Sequence, residues 1–289
     1  MIPITFRPLS YALGAEALGL DISSDISVKD WDALQDGFLR YGVLLIRGQR
    51  IDRNQHLAFS QRFGKLDRHE SLPLDRLPEI PELLMVTNDA KPDGSASNSK
   101  YTGQLWHSDM SFTLIPALGS MLRAVAVPPV GGDTLFSNMV QAYETLSPLM
   151  RDLIEPLYGI HHSERKNSGL SQEWEAENRR LNPSVAQPVV RVHPETKKKA
   201  LYIGEKVKCF EGMTPAESQP IIDFLIRHAT RPQLVYRHQW QVDDILIWDN
   251  RSTSHLALGD YEPSHRRHLE RTTIIGTPSG HIASNKELA

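Results

Sequence analysis

Short apolar runs separated by turn residues set the limits on what this chain can fold into. Seven of them are rich in β-branched or aromatic residues: 43–47 (VLLIR), 119–127 (GSMLRAVAV), 189–193 (VVRVH), 200–203 (ALYI), 233–240 (QLVYRHQW), 244–249 (DILIWD) and 271–275 (RTTII). Turn residues such as Gly131, Gly132 and Asp133 lie between them. Few helical patterns intervene. This argues against a doubly wound parallel sheet and predicts a mostly β, mostly antiparallel sandwich or jelly roll with helices packed outside it. Apolar spacings of three and four predict helices over 28–41 and 54–63. A third helix is predicted over 147–158, opening on Ser147 and Pro148 and ended or kinked by Pro156. The clearest helix start is Thr214, with Pro215 at the first helical position and Glu217 closing a capping box. No internal repeat or long linker divides the sequence, so 1–289 is read as a single domain. Polar stretches at 88–103 and 163–183 read as long loops, or a loop with a short helix, and place long active-site loops near 67–105 and 160–188.

Charge and cysteine content remove several function classes. The 32 Lys+Arg against 35 Asp+Glu give a formal charge of −3, so no bulk basic field exists to hold nucleic acid or an anionic membrane surface. No apolar run approaches the ~18–20 residues needed to span a bilayer. Cys209 is the single cysteine and can form neither an internal disulfide nor a cysteine-rich zinc site. The first residues meet Glu16 and Asp21 too soon for a secretory apolar region, and the expectation is a soluble, cytoplasmic protein. The 12 histidines are the feature left to pursue.

His107, Ser108 and Asp109 form an H-x-D pattern. In an extended segment residues two apart share a face, so the imidazole and the carboxylate would converge and suit a divalent transition metal. Taken alone, the pair reads better as two surface polar residues. His255 follows the apolar strand that ends at Trp248 and Asp249, and is expected from a different strand across the barrel. Two His and one carboxylate on one face of an octahedral Fe(II) leave positions open for co-substrate and dioxygen; a zinc site with an activated water would use the same three residues. A third stretch, HRRHLER over 265–271, places Arg267, Leu269 and Arg271 on one strand face. Two buried guanidinium groups would each call for an anion, although a solvated basic stretch gives the same pattern. His161, His162, His265 and His268 are read as surface or supporting groups, and His193 and His228 as structural.

The set WHSD (106–109), PxGGDT (129–134), WDNRSTSH (248–255) and HRRHLERTT (265–273) resembles the TauD/TfdA family of Fe(II)- and 2-oxoglutarate-dependent dioxygenases. The resemblance runs from about Leu44 to about Gly276 and implies a double-stranded β-helix (jelly roll) core. It implies His107, Asp109 and His255 as the iron ligands and catalytic centre. Thr134 matches the threonine that helps hold the 2-oxoglutarate carboxylate near the metal, and Arg267 the arginine that pairs with its distal carboxylate. Arg271 matches the position that holds the sulfonate in the taurine enzyme, and His69 a substrate-contacting histidine there. Leu72 replaces a tyrosine of that enzyme and Gly103 an asparagine, which implies a substrate other than taurine with an apolar part against Leu72. The implied cofactors are Fe(II), 2-oxoglutarate as co-substrate and dioxygen. The implied products are succinate, CO2 and a hydroxylated small organic acid of the sulfonate, alkyl sulfate or aryloxyalkanoate type, in which C–O or C–S cleavage can follow. A homodimer or homotetramer is the implied assembly. A catalytically silent module that binds a small acid, or less favourably a zinc hydrolase, would fit part of the same pattern.

Overall fold

In a computed structural model of the chain, which describes residues 3–73, 76–90, 97, 103–163 and 172–284, the two most apolar runs lie side by side in the middle of one sheet. The elements of the first half are β1 (Thr5–Pro8), β2 (Ala15–Leu18), α1 (Val28–Tyr41), β3 (Val43–Ile46), α2 (Arg53–Gln61), β4 (Arg76–Leu77), β5 (Ile80–Thr87), β6 (Ala117–Ala126), β7 (Thr134–Asn138), α3 (Met139–Glu144), α4 (Pro148–Ile154) and β8 (Tyr158–His161). Those of the second half are α5 (Gln172–Leu181), β9 (Val185–Pro188), β10 (Val190–Val192), β11 (Lys199–Leu201), β12 (Val207–Phe210), α6 (Pro215–Ala229), β13 (Val235–His238), β14 (Ile245–Asp249), β15 (Thr253–Ala257), β16 (His268–Ile275) and β17 (His281–Ile282).

The large sheet runs β1-β2-β3-β14-β6-β16-β5-β4, and β13-β7-β15 forms a smaller one. Among the described residues all strand pairings are antiparallel except β2 with β3. β3 and β14 are apolar at every inner position because both faces are covered. Val43, Leu45, Leu246 and Trp248 pack with Phe136, Tyr236 and Leu269 between the sheets. Their neighbours Leu44, Ile46, Ile245 and Ile247 pack outward on Leu34 and Phe38 of α1 and Phe59 of α2. A jelly-roll core with helices on its outer face results, and the expected fold class holds. A separate apolar layer unites α3, α4 and α6 with β11 and β12.

Helix limits follow the capping chemistry. Ser27 accepts from the Asp30 amide at the start of α1, and Gly42 ends it in the left-handed region at φ 69°. Thr214 and Glu217 form the expected capping box on α6, and α4 ends at Ile154, ahead of Pro156. The segments 67–105 and 160–188 contain strands that the loop expectation did not include: β4 and β5 lie in the first, where β5 covers the edge of β16, and β9 lies in the second, after the short helix α5 that the expectation allowed. Residues 91–96, 98–102 and 164–171 of the predicted loops lie outside the described residues.

Candidate active site

His255 follows β14, as expected, and sits on a strand of its own, β15. β15 pairs with β7, setting His255 opposite Phe136. His107 then bridges directly to His255: its amide donates to the His255 carbonyl at 3.0 Å, and its carbonyl accepts from the His255 amide at 2.8 Å. The two imidazoles therefore come from adjacent backbones, with ring centroids 4.2 Å apart, and not from across the barrel. Nor is 107–109 a regular strand. The chain turns after His107, Met110 takes φ 54°, and the Asp109 amide donates to Asn250 Oδ1 at 3.0 Å. The turn, not strand alternation, brings the carboxylate under the imidazoles. Asp109 Oδ1 lies 3.9 Å from His107 Nε2 and Oδ2 lies 3.8 Å from His255 Nε2. One potential ligand atom from each residue lies within 4.8 Å of the others, and among the described residues no other trio of His, Cys, Asp or Glu does this. Gly204 packs against this turn, where a Cβ would stand 2.6 Å from the Trp106 carbonyl oxygen.

The protonation states suit a cation. His107 Nδ1 lies 2.6 Å from the Leu105 carbonyl, to which it can only donate, so Nε2 keeps its lone pair toward Asp109. Burial lowers both imidazoles, His255 to about 3, which keeps them neutral. Burial alone would raise the Asp109 carboxyl. Arg271, His255 and His107 outweigh it and hold the group below the usual carboxylate range. A neutral, neutral, anionic donor set is what a divalent iron site requires.

Asn250 and Ser120 are functional residues that sequence reasoning missed. Asn250 Oδ1 accepts from Trp248 Nε1 at 3.1 Å as well as from Asp109, and its Nδ2 donates to Ser120 Oγ at 3.0 Å. Ser120 in turn donates to Asp109 Oδ2 at 2.7 Å. The available signal was polar residues inside two apolar strand sequences, GSMLRAVAV and ILIWDN.

The remaining predicted residues distribute around this centre. On β16 the outward side chains are His268, Glu270 and Thr272, with Glu270 bonded to Arg53 of α2 at 2.7 Å. Leu269 and Arg271 point inward. Arg267, just before the strand, is buried and donates Nε to the Gly132 carbonyl at 2.9 Å; burial lowers its guanidinium from the ordinary value. Gly132, at φ 71°, is closely approached, since a Cβ there would lie 3.2 Å from Arg267 Nε. Thr134 is buried two residues before Phe136, whose ring stacks on His255 at 5.9 Å, and its Oγ1 accepts from Trp240 Nε1 at 3.0 Å. Arg271 has an acid already: its Nη1 donates to Asp109 Oδ1 at 2.5 Å. It is therefore not a cation left needing an anion of its own. His69 is fully buried, with both ring nitrogens engaged by the Pro81 carbonyl and Thr273 Oγ1 at 3.0 Å each. Leu72 is half-buried against Met110, Phe112 and Ala117. Gly103 stands over His107, where a Cβ would be 3.6 Å from Cε1. His161 and His268 are buried and not surface groups.

Comparison with known proteins agrees with this architecture. The sequence profile of the taurine catabolism dioxygenase TauD, TfdA family matches residues 5–273. The alkylsulfatase of Acinetobacter baylyi is 34% identical over 282 residues, which is 94% of this chain and 85% of that protein. The alpha-ketoglutarate-dependent 2,4-dichlorophenoxyacetate dioxygenase of Cupriavidus pinatubonensis is 33% identical over 92% of this chain and 94% of its own. Among solved structures, AAD-2 in complex with Mn(II) and N-oxalylglycine superposes with a TM-score of 0.81 at 29% identity, covering 96% of this chain and 99% of the other. A taurine dioxygenase from Burkholderia xenovorans gives 0.80 at 31% identity, covering 97% and 94%. A jelly roll of this topology, matched to the family profile over nearly its whole length, belongs to the TauD/TfdA family of dioxygenases.

Proposed function

We propose that His107, Asp109 and His255 hold the Fe(II) ion with which this chain, a 2-oxoglutarate-dependent dioxygenase, hydroxylates a small organic acid. The observation that carries the reading is the convergence of one carboxylate and two neutral imidazoles, each offering a ligand atom within 4.8 Å of the others. Iron bound there supplies the oxidising chemistry, coupling conversion of 2-oxoglutarate and dioxygen to succinate and CO2 with oxygen insertion into a substrate C–H bond.

The protein positions and shields. Asn250 fixes the Asp109 backbone amide and Ser120 its carboxylate, and the Leu105 carbonyl fixes the His107 tautomer. Arg267 receives the distal carboxylate of 2-oxoglutarate, a role supported by its burial without an acid partner among the described residues, and Thr134 borders the carboxylate near the metal. His69, Leu72 and Arg271 border the primary substrate, with Leu72 giving that side an apolar wall through Met110 and Phe112. The relatives' names support an alkyl sulfate, sulfonate or aryloxyalkanoate as substrate class, with C–O or C–S cleavage following where the hydroxylated carbon bears the heteroatom. Buried Cys209, the single cysteine, fits a reducing compartment, and a cytoplasmic homodimer or homotetramer is the proposed form.

The test is oxygen uptake by the Fe(II)-loaded protein with 2-oxoglutarate across a panel of such acids. At least one acid should accelerate uptake well above the rate without it. A flat response across all three classes would refute the substrate assignment.

A further inference from the structure

The segment that carries Arg267 into β16 is held from outside its own strand, and none of the roles given so far uses the residues that hold it. β5 pairs with β16 as far as Thr87, opposite His268. The chain then crosses the start of β16, where Asn88 takes both backbone polar groups of Arg267. Its Oδ1 accepts from the Arg267 amide at 2.8 Å, and its own amide donates to the Arg267 carbonyl at 3.1 Å. Its Nδ2 donates to the His265 carbonyl at 2.8 Å. Asp89 ties the residues on either side of Arg267. It accepts from Arg266 Nε and Nη2 at 2.8 and 2.9 Å, and its carboxylate lies 2.7 Å from His268 Nδ1.

The Arg267 side chain is held separately, near its far end. Its Nε donates to the Gly132 carbonyl at 2.9 Å, and the Gly132 amide in turn donates to Asp260 Oδ1 at 2.9 Å. The residue is 5% exposed and makes no ion pair among the described residues. A guanidinium binds a carboxylate through two parallel bonds only when its plane is correctly placed. Order present before binding is order the ligand need not impose, so a side chain fixed at its backbone and at Nε binds more tightly than a free one.

We propose that Asn88 is a positioning residue for Arg267 and thereby sets the preference of the site for a 2-oxo acid with a second, distal carboxylate; the proposal rests on the dioxygenase reading above, with Arg267 as the distal-carboxylate site. Asn88 acts through the Arg267 backbone and not on the co-substrate itself. An Asn side chain bonded to nearby backbone can also serve only to end a strand. That role would weaken every ligand alike, whereas a positioning role predicts a loss confined to the distal carboxylate.

The experiment measures anaerobic equilibrium binding of two probes to the Fe(II)-loaded protein. One is 2-oxoglutarate, and the other is 2-oxopentanoate, which has the same carbon chain without the distal carboxylate. Wild type should favour 2-oxoglutarate, and Arg267→Ala should remove most of that preference. Asn88→Ala should reduce the preference about fivefold or more, the loss expected from one orienting hydrogen bond, with 2-oxopentanoate affinity and Fe(II) retention unchanged. Adding Asn88→Ala to Arg267→Ala should lower the preference no further. Asn88→Gln keeps the amide but displaces it by one methylene; it should also reduce the preference, and it decides the matter if Asn88→Ala does not fold. An unchanged preference in a folded Asn88 variant overturns the proposal, as does equal weakening of both probes. A preference that survives Arg267→Ala would instead refute Arg267 as the distal-carboxylate site, the reading on which the proposal rests.

Discussion

Replacing Asn250 by alanine should damage both the fold and the metal site, and the hydrogen-bond inventory sets the size of the effect. Asn250 Oδ1 is the acceptor for two buried donors, the Asp109 amide at 3.0 Å and Trp248 Nε1 at 3.1 Å. Both would be left unsatisfied in residues no more than 3% exposed. An orphaned buried donor costs about 1–3 kcal/mol, so Asn250→Ala should lose about 2–6 kcal/mol. That is a large part of the ~5–15 kcal/mol that holds a domain together. The same change frees the turn that carries Asp109 and removes the Nδ2 contact to Ser120. Loss of a group that orients a ligand typically lowers metal affinity about 10–100-fold. Ser120→Ala leaves the Asp109 amide satisfied but removes the hydroxyl that donates to the Asp109 carboxylate and accepts from Asn250 Nδ2, so it should cost about 1–3 kcal/mol. Urea unfolding of the metal-free protein and anaerobic dialysis against Fe(II) read the two effects separately. A loss below ~1 kcal/mol with unchanged Fe(II) affinity in Asn250→Ala would refute this reasoning.

Three further outcomes follow from the geometry. Arg267→Ala should weaken 2-oxoglutarate binding by about 2–5 kcal/mol, the usual effect of truncating one partner of a buried charge pair, while leaving the apparent constant of the primary substrate nearly unchanged; steady-state kinetics with each reactant varied checks this. Glu270 would be raised by burial, but His268, Arg53 and Arg123 outweigh that and bring it to about 2. Its folded value lies below the unfolded one of ~4.3, so its stabilisation, on the order of 3 kcal/mol, is complete above that pH and is lost as pH falls toward 2. Glu270→Gln should flatten the acid limb of stability between roughly pH 4 and 2 in urea titrations. Gly204→Ala forces a Cβ to 2.6 Å from the Trp106 carbonyl oxygen, so it should destabilise by about 1–3 kcal/mol and lower Fe(II) affinity by displacing His107, as melting and dialysis would show.

The parts of the fold that were legible in the sequence are those in which one local pattern carries the whole signal. VLLI and ILIW read as strands because sheet and helices bury both of their faces, and TPAE reads as a helix start because its capping box is self-contained. β7 (TLFSN) and β15 (TSHLA) escaped because Ser, Thr and Asn interrupt the apolar alternation, and their pairing with each other defines them instead. The candidate site shows the same division. His107, Asp109 and His255 stood out by residue type and motif, yet how they meet depended on a bridge between residues 148 apart in sequence (255 − 107) and on the turn at Met110. The partner of Arg271 was not readable either, because Asp109 lies 162 residues away. Asn250, Ser120 and Asn88 carry no periodic signature, and only tertiary contacts distinguish them from ordinary polar positions.

The central claim is that His107, Asp109 and His255 hold the iron that couples 2-oxoglutarate to dioxygen. The most direct measurement is succinate formed and dioxygen consumed by wild type and Asp109→Ala at saturating 2-oxoglutarate, with Fe(II) retention read by dialysis on the same samples. Wild type should form one succinate per dioxygen, whereas Asp109→Ala should form none and retain Fe(II) weakly. Wild-type turnover in an Asp109→Ala protein that remains folded would contradict the account.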